Sequence, residues 1–171
     1  MESGKILAII AGIVTLLGTY VFALGGGAGL VSSGIGLIYG TINNLADLFL
    51  DSATYSAGIN PILYWIFIIL FVIWLASGVL QFIGIKSRVA IFIFSLFPLT
   101  LGIVFMLALY APGVFGGTSG PLYILFVFSS IGEQYGGFFP ILINLGDAAL
   151  GVYLLIAGGA LGLISAFLPR D

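Results

Sequence analysis

The chain has neither cysteine nor histidine among its 171 residues, and only 6% of its residues are charged. Without cysteine it can form no disulfide, thiolate nucleophile or thiolate metal site. Without histidine it lacks the commonest general base, the commonest metal ligand and the usual axial ligand of haem iron. A soluble domain carries about 25% charged residues, so this chain has too few to cover a surface in water.

What the chain has instead is apolar sequence. Hydrophobic residues make up 61% of it, and the mean hydropathy is +1.32. A helix needs about 20 apolar residues to cross the hydrocarbon of a bilayer, where its backbone must satisfy its own hydrogen bonds. We therefore predict an all-α integral membrane protein, a single domain built as a bundle of four transmembrane helices. The predicted spans are residues 6–24, 61–85, 89–111 and 148–168.

The cations lie at one end of these runs and the tyrosines toward the other. Lys5 precedes the first run, Lys86 and Arg88 lie between the second and third, and Arg170 follows the fourth. Cations mark the cytoplasmic side and aromatic residues mark the interfaces. We expect both termini to be cytoplasmic, in the plasma membrane, with outer loops at 25–60 and 112–147.

The first run has an alternative interpretation as a secretory signal, for which Lys5 would supply a short basic region and Ala23 a cleavage position. We expect it instead to be a permanent span. Its 19 residues from 6 to 24 carry no charge and are about as many as a helix needs to cross the hydrocarbon.

The first outer loop carries apolar residues at helical spacing. The spacings of 4, 3, 4, 3 and 4 predict an amphipathic helix over residues 31–50 at the outer surface. This outer helix would pack on the ends of the spans, contact a partner, or form part of a re-entrant hairpin. Its apolar face consists of Val31, Ile35, Ile38, Ile42, Leu45 and Phe49.

The second outer loop contains two apolar pieces separated by glycine and proline, within residues 122–145. The two halves of the chain also align faintly at an offset of 84, which pairs Lys86 with Arg170 and Gly18 with Gly102. Two tandem hairpins with the same orientation would form a parallel repeat, so an ancestral duplication is one hypothesis.

Small residues predict where helices approach each other. Apolar side chains gain little by leaving lipid for protein, so membrane helices associate through close backbone contact. Gly12 in the first span, and Gly151, Gly158 and Gly162 in the fourth, are the candidates for helix packing. We expect the first and fourth spans to meet, and such contacts join helices of one chain or of two subunits.

A few weakly polar residues and one proline interrupt the spans. Pro98 removes a backbone hydrogen bond and is expected to kink the third span, either as static packing or as a hinge. If an oligomer enclosed a pore, its possible lining or hinge residues would be Thr15, Thr19, Ser95, Pro98 and Thr100.

The acidic residues leave two questions. Asp47, Asp51 and Glu133 are a possible outer cation site, although a solvated acidic face is the other interpretation. Asp147 is expected to cap the fourth span at the outer interface. If that span began near Phe138, Asp147 would lie inside the membrane.

The composition therefore predicts a protein without catalytic activity, cofactor, nucleotide or nucleic acid. Its partners would be membrane lipid and copies of itself, because apolar outer loops need burial. The leading hypothesis is a tetraspan scaffold that acts by self-association. The alternatives are a pore-forming subunit of an oligomeric channel, and an accessory subunit or lipid-handling protein with a non-identical partner or a lipid-filled groove.

Overall fold

The computed structural model describes residues 2–27, 30–36, 38, 61–111 and 137–169. Helix α1 (Ser3–Leu16) continues as a π-helical turn (Leu17–Val21). Helix α2 (Pro61–Leu80) continues as a 3-10 helix (Gln81–Ile85). Helices α3 (Arg88–Tyr110) and α4 (Leu150–Phe167) follow. Its strands form two antiparallel hairpins, β1 (Gly25–Gly27) with β2 (Leu30–Ser32), and β3 (Asn144–Leu145) with β4 (Ala148–Ala149).

Three helices in the described part of the chain are long and apolar enough to cross a membrane, namely Ser3–Val21, Arg88–Tyr110 and Leu150–Phe167. A shorter apolar stretch, Ile69–Ile85, belongs to α2 and its 3-10 continuation. These elements agree with the prediction of a mostly helical integral membrane protein.

Helix α4 lies between α1 and α3 and packs closely against both. A Cβ atom on Gly158 would lie 2.9 Å from the backbone nitrogen of Thr15 in α1. A Cβ atom on Gly159 would lie 2.6 Å from the backbone nitrogen of Leu99 in α3. Two neighbouring glycines therefore serve two different contacts, because successive residues of a helix point about 100° apart.

The core follows from this arrangement. Its largest cluster joins α2, α3 and α4 and includes Trp74, which is in edge-to-face contact with Phe71 at 5.7 Å between ring centroids. The other buried members are Leu24, Phe105, Ala148, Val152 and Leu155. The connection between α2 and α3 is only Lys86 and Ser87, and the Ser87 hydroxyl caps α3 by accepting from the Ala90 N–H at 3.3 Å.

The structure corrects the predicted helix cap at Asp147. Helix α4 begins at Leu150, its N-cap is Ala149, and no side chain caps it. The reason is that Ala148 and Ala149 pair with β3, which delays the helix. Asp147 is exposed and lies in the turn of this hairpin, neither at a cap nor deep in the bundle.

The structure also corrects the start of the predicted outer helix. Val31 lies in strand β2 opposite Gly26, and helical backbone is found at residues 34–36 and 38. The cause is the glycine segment before it, which provides a partner strand. Val31 is buried against Ala23 and Ala149. Residues 39–50 of the predicted helix lie outside the described part of the chain.

Candidate interaction surface at the hairpin end

The end of α1, the start of α4 and the two β-hairpins meet at one end of the bundle, which we call the hairpin end. Residues 22–24 run between the hairpins. The Ala23 N–H donates to the Ile141 oxygen at 3.0 Å, and the Leu24 N–H donates to the Ser32 oxygen at 2.8 Å. The Ala23 oxygen accepts from the Gly151 N–H at 2.9 Å. Backbone bonds therefore tie both loops to the helices.

Two tyrosines hold the β3–β4 turn. Tyr110 ends α3, Tyr153 lies in the first turn of α4, and each hydroxyl donates to the Leu145 oxygen at 3.0 Å. The Tyr110 oxygen also accepts from the Asp147 N–H at 3.2 Å. Gly146 has φ of +85°, and a Cβ atom there would meet the Tyr110 hydroxyl. The turn thus needs glycine both for its backbone conformation and for this contact.

Exposed apolar side chains cluster on the same segment. We call them the hairpin patch, and it consists of Phe138, Ile141, Ile143 and Leu145. They are between 37 and 70% exposed. All four precede the first residue of α4. Exposed apolar side chains are expected on the lipid-facing sides of spans. A group of them on a loop instead marks a candidate interaction surface.

The tyrosine contacts predict the behaviour of the turn. Tyr110→Phe removes the hydroxyl that accepts from the Asp147 N–H. We expect the Asp147 amide to exchange with deuterium about fivefold faster, since a hydrogen bond contributes roughly 1 kcal/mol. The matched control is Tyr20→Phe, because the Tyr20 hydroxyl donates to the Leu75 oxygen, away from the turn. An equal rate in both variants would contradict this account.

The proposed pore-lining residues do not share one surface. Thr15, Thr19, Ser95 and Pro98 are buried between helices of one chain. The Thr19 hydroxyl donates to the Thr15 oxygen at 2.8 Å. Only Thr100 of this set is exposed. The set therefore forms no single exposed surface in the described chain, and its interpretation as a pore lining stays a prediction. Helix α3 continues through Pro98.

The four packing glycines all contact other parts of the same chain. A Cβ atom on Gly12 would lie 3.0 Å from the Phe82 ring, beyond the end of α2. Gly151 and Gly158 lie against α1 and the residues that follow it, and Gly162 lies against Ser95 in α3. These surfaces are used within the chain and are not free for a second subunit.

The outer residues are described only in part. Val31 is buried, and Ile35 and Ile38 are half-buried. The other predicted outer contacts and acids lie outside the described part of the chain, namely Ile42, Leu45, Phe49, Asp47, Asp51 and Glu133.

A buried polar pair was not predicted from the sequence. Gln81 is fully buried, and its Nε2 donates to the Ser95 hydroxyl at 3.1 Å. The Gln81 Oε1 has no hydrogen-bond partner within the described residues. The available signal was a lone amide at the end of an apolar run, but its partner lies 14 residues away in the next helix.

Comparison with known family models, curated protein sequences and solved structures gives no match to this chain.

Proposed function

We propose that this protein is a four-span plasma-membrane protein that acts without catalysis, by self-association as a membrane scaffold. The fourth span would be α2. Its 20 helical residues, Pro61–Leu80, are extended by the 3-10 segment Gln81–Ile85, and a connection of two residues joins it to α3. So short a connection makes α2 and α3 antiparallel neighbours. In this topology Lys5, Lys86 and Arg88 lie on the cytoplasmic side together with both termini.

The observation that carries the proposal is the hairpin patch. Its apolar side chains lie on a loop that backbone bonds and two tyrosines hold in place. A preformed surface loses little conformational entropy when it binds. Its position before α4 would put it at the outer membrane surface, where burial against protein removes apolar area from water.

The occupant we propose is a second copy of the chain. A contact between identical surfaces must be self-complementary. An apolar patch meets this condition, whereas a surface of one charge would repel its copy. Asp147 is a charged residue beside the patch and is exposed in the turn. It would therefore lie at the edge of the contact between the two copies. The glycines of α4 cannot supply the contact because they are used inside the chain.

Single cysteines test the proposal cleanly, because the chain has none of its own. We expect Ile143→Cys to form a disulfide-linked dimer when membranes are oxidised, since this residue would face its copy. The matched control is Val89→Cys, which is 67% exposed at the opposite end of the bundle and should remain monomeric. Equal cross-linking of the two variants, or a monodisperse monomer in lipid nanodiscs, would refute self-association through the hairpin patch.

A further inference from the structure

A lateral cavity lies between α2 and α3. Its volume is 330 Å³. Phe71, Trp74 and Phe105 are buried at its base, whereas Leu70, Leu96 and Thr100 are exposed at its rim. The cavity thus opens on the side of the bundle that faces lipid. The remaining lining residues are Phe97, Leu101, Val104 and Ala108.

The cavity runs along the outer half of α3. Its lining on that helix extends from Leu96 to Ala108, which is about 18 Å at 1.5 Å per residue. One leaflet of a bilayer contributes roughly 15 Å of hydrocarbon. Ala108 lies two residues before Tyr110 at the hairpin end, and Trp74 and Thr100 lie near the middle of their helices. The cavity therefore spans the leaflet at the hairpin end.

The lining is apolar, and the described residues that form it include no charged side chain. Water gains nothing in such a space, because it needs several polar partners. A helix of a second copy is too large, since an 18 Å length of helix with a diameter of about 10 Å occupies roughly 1,400 Å³. A single flexible hydrocarbon chain matches the length and the apolar chemistry of the cavity.

We propose that this cavity binds one acyl chain of a membrane lipid from the leaflet at the hairpin end. The chain would enter beside Ala108 and lie along α3, passing Trp74 and ending near Leu96. It differs from ordinary surrounding lipid because helices flank it on two sides and aromatic rings form its base, so dispersion contacts hold it in place. The lipid headgroup would then lie near Tyr110.

Trp74 fluorescence reports on this site. The chain has two tryptophans, so Trp65→Phe leaves Trp74 as the only one. In bilayers of phosphatidylcholine brominated near the chain ends, we expect about a twofold loss of Trp74 fluorescence, because the inner part of a bound chain would lie against the ring. The loss should rise linearly with the brominated fraction, as for one site. Bromine near the carbonyl should quench less.

The second part of the experiment uses a substitution that blocks the cavity. In the Trp65→Phe background, Val104→Phe places a ring in the cavity and should abolish most of the quenching. Ile103→Phe is the matched control, because Ile103 is the neighbouring residue, is exposed, and does not line the cavity. Absence of quenching in Trp65→Phe would overturn the proposal without any further variant. Equal quenching in the two phenylalanine variants, or the curved dependence of many surrounding lipids, would also overturn it.

This inference does not depend on self-association. The cavity lies between α2 and α3, whereas the hairpin patch lies before α4. We expect Val104→Phe to leave the cross-linking of Ile143→Cys unchanged. Failure of one test is therefore distinguishable from failure of the other.

Discussion

Gly159→Val is expected to lower the free energy of unfolding by about 3 kcal/mol, the upper end of the usual cost of overpacking. An added Cβ atom would lie 2.6 Å from both the backbone nitrogen and the Cβ atom of Leu99, and 2.8 Å from its Cα atom. Backbone atoms cannot rotate away as the end of a side chain can. Helix α4 would have to move away from α3, and in lipid that contact depends on close approach.

The control for this prediction is Ala157→Val, two residues earlier on α4 and exposed. It adds a similar β-branched side chain to the same helix without a neighbour to displace. Stability is measured as the fraction folded against denaturant in one detergent, and helicity confirms that both variants insert. Equal midpoints for the two variants would show that the α3–α4 contact tolerates a wider spacing.

Gln81→Glu is expected to destabilise the protein by about 3 kcal/mol when the carboxylate is ionised, a typical cost of an uncompensated buried charge. Gln81 is fully buried beside Ser95, and one polar atom of its amide already lacks a partner within the described residues. Glutamate has almost the same size and shape, so the substitution changes charge and leaves packing intact.

The measurement compares the amount of folded protein recovered in membranes at neutral pH. Gln81→Leu is the control, because it keeps the volume and removes the amide without adding charge. We expect Gln81→Leu to be recovered at near the level of the unsubstituted protein, since Ser95 loses only one donor. Similar recovery of both variants would mean that water reaches Gln81, in contradiction to its burial.

Much of the fold was predictable because a membrane helix forms for reasons contained in its own segment of sequence. A run of apolar residues long enough to cross lipid becomes a helix regardless of its neighbours. The predicted third span, 89–111, and helix Arg88–Tyr110 differ by one residue at each end. Where pairing is non-local, the prediction was wrong. Val31 has helical spacing, but Gly26 offers it a strand partner, and that partnership is not visible in periodicity.

The candidate site was less predictable than the helices. Tyr110 and Tyr153 lie near the ends of predicted spans, where interface anchors are expected. A sequence cannot show that both hydroxyls donate to one carbonyl oxygen, that of Leu145, each at 3.0 Å. Asp147 next to a glycine resembles a helix cap until Ala148 and Ala149 are seen to pair as a strand. In both cases the deciding contacts join residues from different elements.

The sequence by itself determined that this chain is mostly helical and belongs in a membrane, because composition and run length act locally and need no knowledge of contacts. It also showed that the cations lie at one end of the apolar runs and the tyrosines toward the other. Only the tertiary structure decided which neighbours each residue contacts. Gly158 and Gly159 are neighbours in sequence but contact different helices, and Thr15 is buried between helices. The physical reason is that a small residue fits any close contact, and only the packed bundle selects its partner.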